Sequence, residues 1–273
     1  MKLAAFTDEI SPDPWRAVEL ACEWGVPALE VRGLPGGRFP AVDDALLEEF
    51  GRRVGDAGLK VSAVSPGFFK CPSDDPAVET GLREGLPRAC EWARRWGTDL
   101  VSVFGCRRAG GAPPPTVEDL LARMADIAQR AGCRLVFENE AVCWGATGTE
   151  AAALLRRVGH PDLRLCWDPG NAARAGCPSP FADEYAGLKD LVGHLHLKNF
   201  DPDAGEWSLM PEGCVDWPGQ LAALQAEGYA GYAVVETHLK TAPERLPPLP
   251  GLTPLESNTK RNLDYLRSHV AGL

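Results

Sequence analysis

Four residues stand where apolar, strand-like runs end, and their side chains could share one metal ion. Glu138 closes Arg134-Leu135-Val136-Phe137, and Asp168 follows Leu163-Arg164-Leu165-Cys166-Trp167. His196 lies in His194-Leu195-His196-Leu197, and Glu236 follows Tyr232-Ala233-Val234-Val235. Glu138 to Asp168 is 30 positions, Asp168 to His196 is 28, and His196 to Glu236 is 40. A strand-helix-strand unit takes roughly 30 or more residues, so each step is one unit and the last carries an extra loop. Taken singly, each residue has a plainer reading: a strand-end carboxylate often caps a helix, and a lone His is more often packed core than ligand. Four in phase at one end of successive strands are better explained as a ring. Three carboxylates and an imidazole suit Mn²⁺, ranked first, or Mg²⁺, Co²⁺ or Zn²⁺, with positions left for a substrate.

The elements that would position this ring alternate along the whole chain. Strands are expected at 3–6, 28–32, 60–65, 99–104, 134–138, 163–167, 194–198 and 232–236. Helices fall between them, and Gly25, Gly58, Gly97, Gly132 and Gly228 stop five of them. Ser11-Pro12 reads as the start of the first helix, Asp43 or Asp44 of the second and Asp75-Pro76 of the third. Thr116-Val117-Glu118-Asp119 reads as a capped start of the fourth, Thr147 or Thr149 caps the next, and Asp216-Trp217-Pro218 opens another. Residues 199–215 read as a long polar loop. The Pro-rich 243–254 stretch reads as a loop over the mouth, followed by a last helix carrying Leu255, Leu263, Leu266 and Val270.

Strand and helix repeated eight times imply parallel strands with right-handed crossovers. Eight units in 273 residues predict a single (β/α)₈ TIM-barrel domain over 1–273, with a doubly wound sheet as the alternative. No Gly-x-Gly-x-x-Gly follows the first strand, which disfavours a dinucleotide fold. The formal net charge of −10 argues against a nucleic-acid partner. Nine Cys without a Cys-x-x-Cys pair suggest free thiols in a reducing cytoplasm. Acidic residues at Asp8 and Glu9 come too early for a signal peptide, and no apolar run is long enough for a membrane span.

The motifs, in order, resemble the xylose isomerase-like barrels of the sugar phosphate isomerase/epimerase group. Those carrying the resemblance are Phe6-Thr7-Asp8-Glu9-Ile10-Ser11, Leu29-Glu30-Val31-Arg32, Phe137-Glu138-Asn139-Glu140, Trp167-Asp168-Pro169-Gly170-Asn171-Ala172, His194-Leu195-His196-Leu197-Lys198-Asn199, and Gly228-Tyr229 through Val235-Glu236. The resemblance implies one divalent metal on Glu138, Asp168, His196 and Glu236. Asn171 stands where many epimerases of the group carry His, and Lys198-Asn199 where the motif usually runs Lys-Asp.

The expected chemistry is proton transfer next to a carbonyl. A sugar or keto-cyclitol chelated by the metal would lose its α-proton to give a metal-stabilised enediolate, with Glu138 and Glu236 as base and acid. Lys198, two residues past His196 and on the same strand face, would meet the developing charge. Glu9, Arg32, Lys70, Asn171 and His238 are candidate substrate contacts, and Trp144 a candidate apolar wall. Return of the proton gives an isomerase or epimerase acting on a small carbohydrate. Loss of a β-hydroxyl gives an inosose-type or keto-sugar dehydratase. An abasic-site endonuclease is disfavoured by the acidity and by five His in all. A non-catalytic sugar-binding barrel would be expected to have lost a ring carboxylate. The resemblance also raises a homo-oligomer.

Overall fold

The computed structural model describes residues 1–241 and 246–269. Eight parallel strands close on themselves: β1 (Lys2–Phe6), β2 (Ala28–Val31), β3 (Lys60–Val64), β4 (Leu100–Val103), β5 (Arg134–Glu138), β6 (Leu163–Trp167), β7 (Val192–Leu197) and β8 (Tyr232–Val235). The seam pairs β1 with β8, Leu3 opposite Ala233 and Ala4 opposite Val234. This is the (β/α)₈ barrel, and closure removes the doubly wound alternative. No helix among the described residues is long and apolar enough to cross a membrane.

Successive side chains on a strand point to opposite faces, and the burial follows that period. Leu29 and Val31 of β2, Leu195 and Leu197 of β7, and Ala233 and Val235 of β8 join a large apolar core between barrel and helices. Their neighbours point inside. Ala4, Phe6, Ala28 and Val234 form a small, separate apolar cluster there. Glu30, His194 and His196 are buried in the same interior.

Most helix starts follow local capping chemistry. The side chains of Asp43, Asp75, Thr147 and Asp216 each accept a backbone N–H of the first turn. Two expected starts differ. A helical turn at Thr7–Ile10 leaves Ser11 as its C-terminal cap, so the first long helix begins at Pro14 with Asp13 as cap. The fourth begins at Pro115 with no side-chain cap, because the cap position is held by Pro114, whose side chain has no acceptor, and Thr116 lies inside. The third is interrupted by a π turn at Gly81–Gly85.

Two mouth segments also differ from expectation. The 199–215 stretch is no plain loop: Asn199–Asp201 and Glu206–Ser208 pair as a hairpin whose base is fixed by the buried Asn199 side chain. The last helix, Pro254–His269, buries Leu255, Leu263 and Leu266, but also a polar face. Thr259 donates to the Glu9 carbonyl, Asn258 to those of Leu239 and Thr241, and Asn262 accepts from the Met210 N–H. That face ties down the segments after β1, β7 and β8. Of the Pro-rich 243–254 stretch, 243–245 lie outside the described residues, as does Val270. The remainder packs on the last helix through Leu249 and Pro247.

Candidate metal centre and barrel mouth

Glu138 is the last residue of β5, Asp168 and Glu236 directly follow β6 and β8, and His196 is the next-to-last residue of β7. All eight strands run parallel, so these ends share one face of the barrel. One donor atom from each of the four lies within 4.8 Å of the others, and all four residues are buried. His196 Nδ1 stands 3.3 Å from Glu138 Oε1 and 3.9 Å from Glu236 Oε2.

Local structure holds each donor. Asp168 is the N-cap of the short helix Pro169–Arg174: Oδ1 accepts from the Asn171 N–H, which leaves Oδ2 facing the ring. The Asn139 side chain bonds both the N–H and the carbonyl of Asp168, fastening the end of β5 to that of β6. Asn171 donates to Glu138 Oε1 at 3.1 Å and to the Asn139 carbonyl, so it lies beside the ring as a support.

Lys198, just past β7, places its ammonium 2.8 Å from Asp168 Oδ2, 2.7 Å from Glu236 Oε2 and 3.9 Å from Glu138 Oε1. The charges answer one another. Burial lowers the Lys198 pKa, but Asp168, Glu236 and Glu138 outweigh it and hold the ammonium charged. Burial pushes Glu138 up, yet His196 and Lys198 bring it below the usual carboxylate range. Glu236 falls well below that range as Lys198, His238 and Arg32 overcome its burial. Asp168 goes the other way: burial and the charges of Glu138 and Glu236 prevail over Lys198, and its pKa rises to about 7.

The donor set fits a divalent ion. His196 Nδ1 and Asp168 Oδ2 are buried without a hydrogen bond, and Asp168 Oδ2 has the Lys198 ammonium as its charge partner. The other ring nitrogen, His196 Nε2, lies 3.1 Å from Glu30 Oε1. A ligating imidazole commonly hands its second nitrogen to a carboxylate in this way. Glu30 is shared: His194 Nε2 lies 2.6 Å from Oε2, and the Ser65 hydroxyl donates to Oε1. Burial raises the Glu30 pKa, but the two histidines outweigh it and keep the group far below the ordinary value. Sequence reading missed this Glu30–His194 support. Its available signal was a carboxylate inside the apolar run Leu29-Glu30-Val31 and a His two positions before His196.

The remaining candidates occupy the wall of a mouth cavity of about 330 Å³. The Arg32 guanidinium binds Asp8 at 3.0 Å, Glu9 at 2.5 Å and Glu236, and lies over the Phe6 ring. His238 bridges Glu9 and Glu236, with Nδ1 3.0 Å from Glu9 Oε1 and Nε2 3.1 Å from Glu236 Oε1. Burial lowers its pKa, but Glu236 and Glu9 raise it to about 9. Its backbone takes a left-handed conformation, φ 56, and its N–H donates to Glu9 Oε2. Lys70 pairs with Glu140 at 2.5 Å. Trp144 is buried away from this cavity, against Arg108. His160 accepts from the Asp162 N–H, and His269 lies exposed against Tyr265. All nine cysteines are free.

A family model described as xylose isomerase-like TIM barrel matches residues 18–269. No curated protein matches the chain in sequence. Among solved structures, it is similar to a D-allulose 3-epimerase from Methylomonas sp. in complex with D-allulose, at 17% identity over 99% of this chain and 97% of that one, TM-score 0.76. It is also similar to the probable 3-DHS dehydratase AsbF from Bacillus anthracis, at 16% identity over 97% and 98%, TM-score 0.74. A third is a xylose isomerase-like TIM barrel protein from Mycobacterium smegmatis in complex with magnesium, at 20% identity over 98% and 95%, TM-score 0.73. At these identities the likeness establishes the fold.

Proposed function

The chain belongs to the xylose isomerase-like TIM barrel family, and on that premise we propose that it is a metal-dependent isomerase or epimerase of a small keto sugar. Glu138, Asp168, His196 and Glu236 would hold one divalent ion, and Glu138 and Glu236 would be its base and acid. The observation that carries this reading is the convergence of four buried donors whose imidazole is oriented from behind by Glu30. Such an ion supplies Lewis-acid polarisation of a carbonyl.

The protein's own groups do the rest. One carboxylate takes the proton from the carbon beside the carbonyl, and the bonding pair moves into the enediolate. The other carboxylate returns a proton, to the opposite face for epimerisation or to the neighbouring carbon for isomerisation. Both carboxylates sit below the usual range, so Glu138 is ionised at neutral pH, as a base must be, and the proton that Glu236 returns would reach it from the His238 imidazolium, whose Nε2 lies 3.1 Å from Glu236 Oε1. Lys198 stays charged and faces the charge that develops on the enediolate oxygens. Arg32 and His238 keep Glu236 in place from the mouth side.

A dehydratase shares the first step, and the Glu9–His238 pair favours it as a second reading. An imidazole whose pKa is raised to about 9 stays protonated at neutral pH and can give its proton to a leaving hydroxyl. The solved relatives include both kinds, an allulose 3-epimerase and a probable dehydratase.

The test is metal analysis of purified protein followed by ketose incubation in D₂O. A stoichiometric divalent ion and deuterium entering beside the carbonyl are expected. Products that keep their water support the isomerase or epimerase, and products lighter by one water support the dehydratase. Protein without stoichiometric metal, or metal-loaded protein that exchanges no α-proton, would overturn the assignment.

A further inference from the structure

The cations around the mouth cavity are unequally matched. Arg32 is held by three carboxylates, Lys198 by Asp168 and Glu236, and Lys70 by Glu140. Arg38, on the hairpin of Gly33–Leu34 and Gly37–Arg38, lines the same cavity and has no carboxylate partner among the described residues. Its Nε donates to the Pro66 carbonyl at 2.9 Å and its Nη2 toward that of Ser65 at 3.4 Å. Two backbone carbonyls orient the guanidinium without neutralising it.

Gly67 completes the seat. A Cβ there would stand 2.3 Å from Arg38 Nε, and the φ of +75 is one that L side chains rarely adopt. The chain thus combines a left-handed glycine with two carbonyl acceptors to hold a guanidinium flat against the cavity wall. Partial desolvation and the Arg32 charge pull the Arg38 pKa down, and Asp8, Glu138 and Glu236, which act the other way, do not make up the difference. Lys240 borders the same cavity and has no ion pair among the described residues. An oriented, uncompensated guanidinium presents spare donors in the planar fork that matches a carboxylate or phosphate.

We propose that Arg38 is the specificity-determining contact for an anionic group, a carboxylate or a phosphate monoester, on the part of the sugar remote from the ion. This deepens the proposed function, because it rests on the mouth cavity being the substrate site.

The test uses three ligands that differ at one carbon: fructose, fructose 6-phosphate and fructuronate. Their affinities for the Mn²⁺-loaded protein are measured by calorimetry, and α-deuteration is followed in the same samples. At least one anionic ligand should bind about 10- to 100-fold more tightly than fructose, the range expected for a charge-assisted hydrogen-bonded contact, and whichever does so identifies the anion. Arg38→Gln should remove that advantage and leave fructose binding within about threefold, and Arg38→Lys should keep part of it. Equal affinity for all three, equal weakening of all three by Arg38→Gln, or no binding of either anion would overturn the proposal. Exchange is scored apart from binding: anion-selective binding without α-deuteration keeps the Arg38 site and removes the proposed reaction. Exchange without anion preference does the reverse.

Discussion

The two faces of the barrel wall carry opposite chemistry on the same strands. On β7, Leu195 and Leu197 point outward into the apolar sheath, while His194 and His196 point inward. On β2, Leu29 and Val31 face out, and Glu30 reaches both histidines. A barrel interior is ordinarily filled by branched apolar side chains. Here the inner apolar cluster is small, and beside it lie a buried Glu–His–His group and then the candidate ligand ring. The main apolar packing therefore lies outside the wall and the proposed chemistry inside it, separated by one residue along the chain.

That division predicts a graded series, from the largest effect on proton exchange to the smallest. Glu236→Gln removes a proposed acid/base group and should cut α-deuteration about 10²- to 10⁴-fold, with the far-UV spectrum unchanged. Wild-type exchange in that variant would break the assignment of chemistry to the inner face. Glu30→Gln should lower metal affinity about 10- to 100-fold, the usual effect of losing a carboxylate behind a ligating His. Metal titration checks this, and unaltered affinity would mean that Glu30 serves packing alone.

Acidification should act through Asp168. Its pKa is raised to about 7, so below that pH a proton must leave before an ion can bind there. Affinity should fall about tenfold per pH unit below 7 and level off above it, where the group is already ionised. A flat profile from pH 5 to 8 would remove this role. Leu195→Ala is the outer-face control. It should cost about 2–5 kcal/mol of stability and lower the midpoint of thermal unfolding, while metal-loaded protein that remains folded keeps its exchange rate within about threefold. A large loss of exchange at unchanged metal content would show that the two faces are not separable.

How much of this was readable depended on the distance over which each feature is specified. The strands and the ring donors are local signals: a period-two apolar run, then a polar residue at its end. Asp43, Asp75, Thr147 and Asp216 are equally local, since a cap acts within one turn. Glu30 and His194 are partners 164 positions apart, and a buried Glu becomes interpretable only once the barrel has brought two histidines to it. Arg38 was passed over for a similar reason. Its significance is that it has no carboxylate partner among the described residues, which only the assembled mouth reveals. The 199–215 segment reads as polar loop because the side chain fixing its hairpin, Asn199, is itself polar, though buried.

On the ribosome, the β1–β8 seam is the last part of the wall to form. Lys2–Phe6 is made first and Tyr232–Val235 last among the strands, yet they lie side by side. Until β8 emerges, Glu236 is missing from the ring, and Lys198 and Arg32 each lack a carboxylate they bind in the finished molecule. Synthesis proceeds from the N-terminus and a domain folds as a unit, so Glu138, Asp168 and His196 are all made before their fourth companion. Completion of the barrel and completion of the proposed metal centre are thus one event, and a chain halted before residue 232 carries neither.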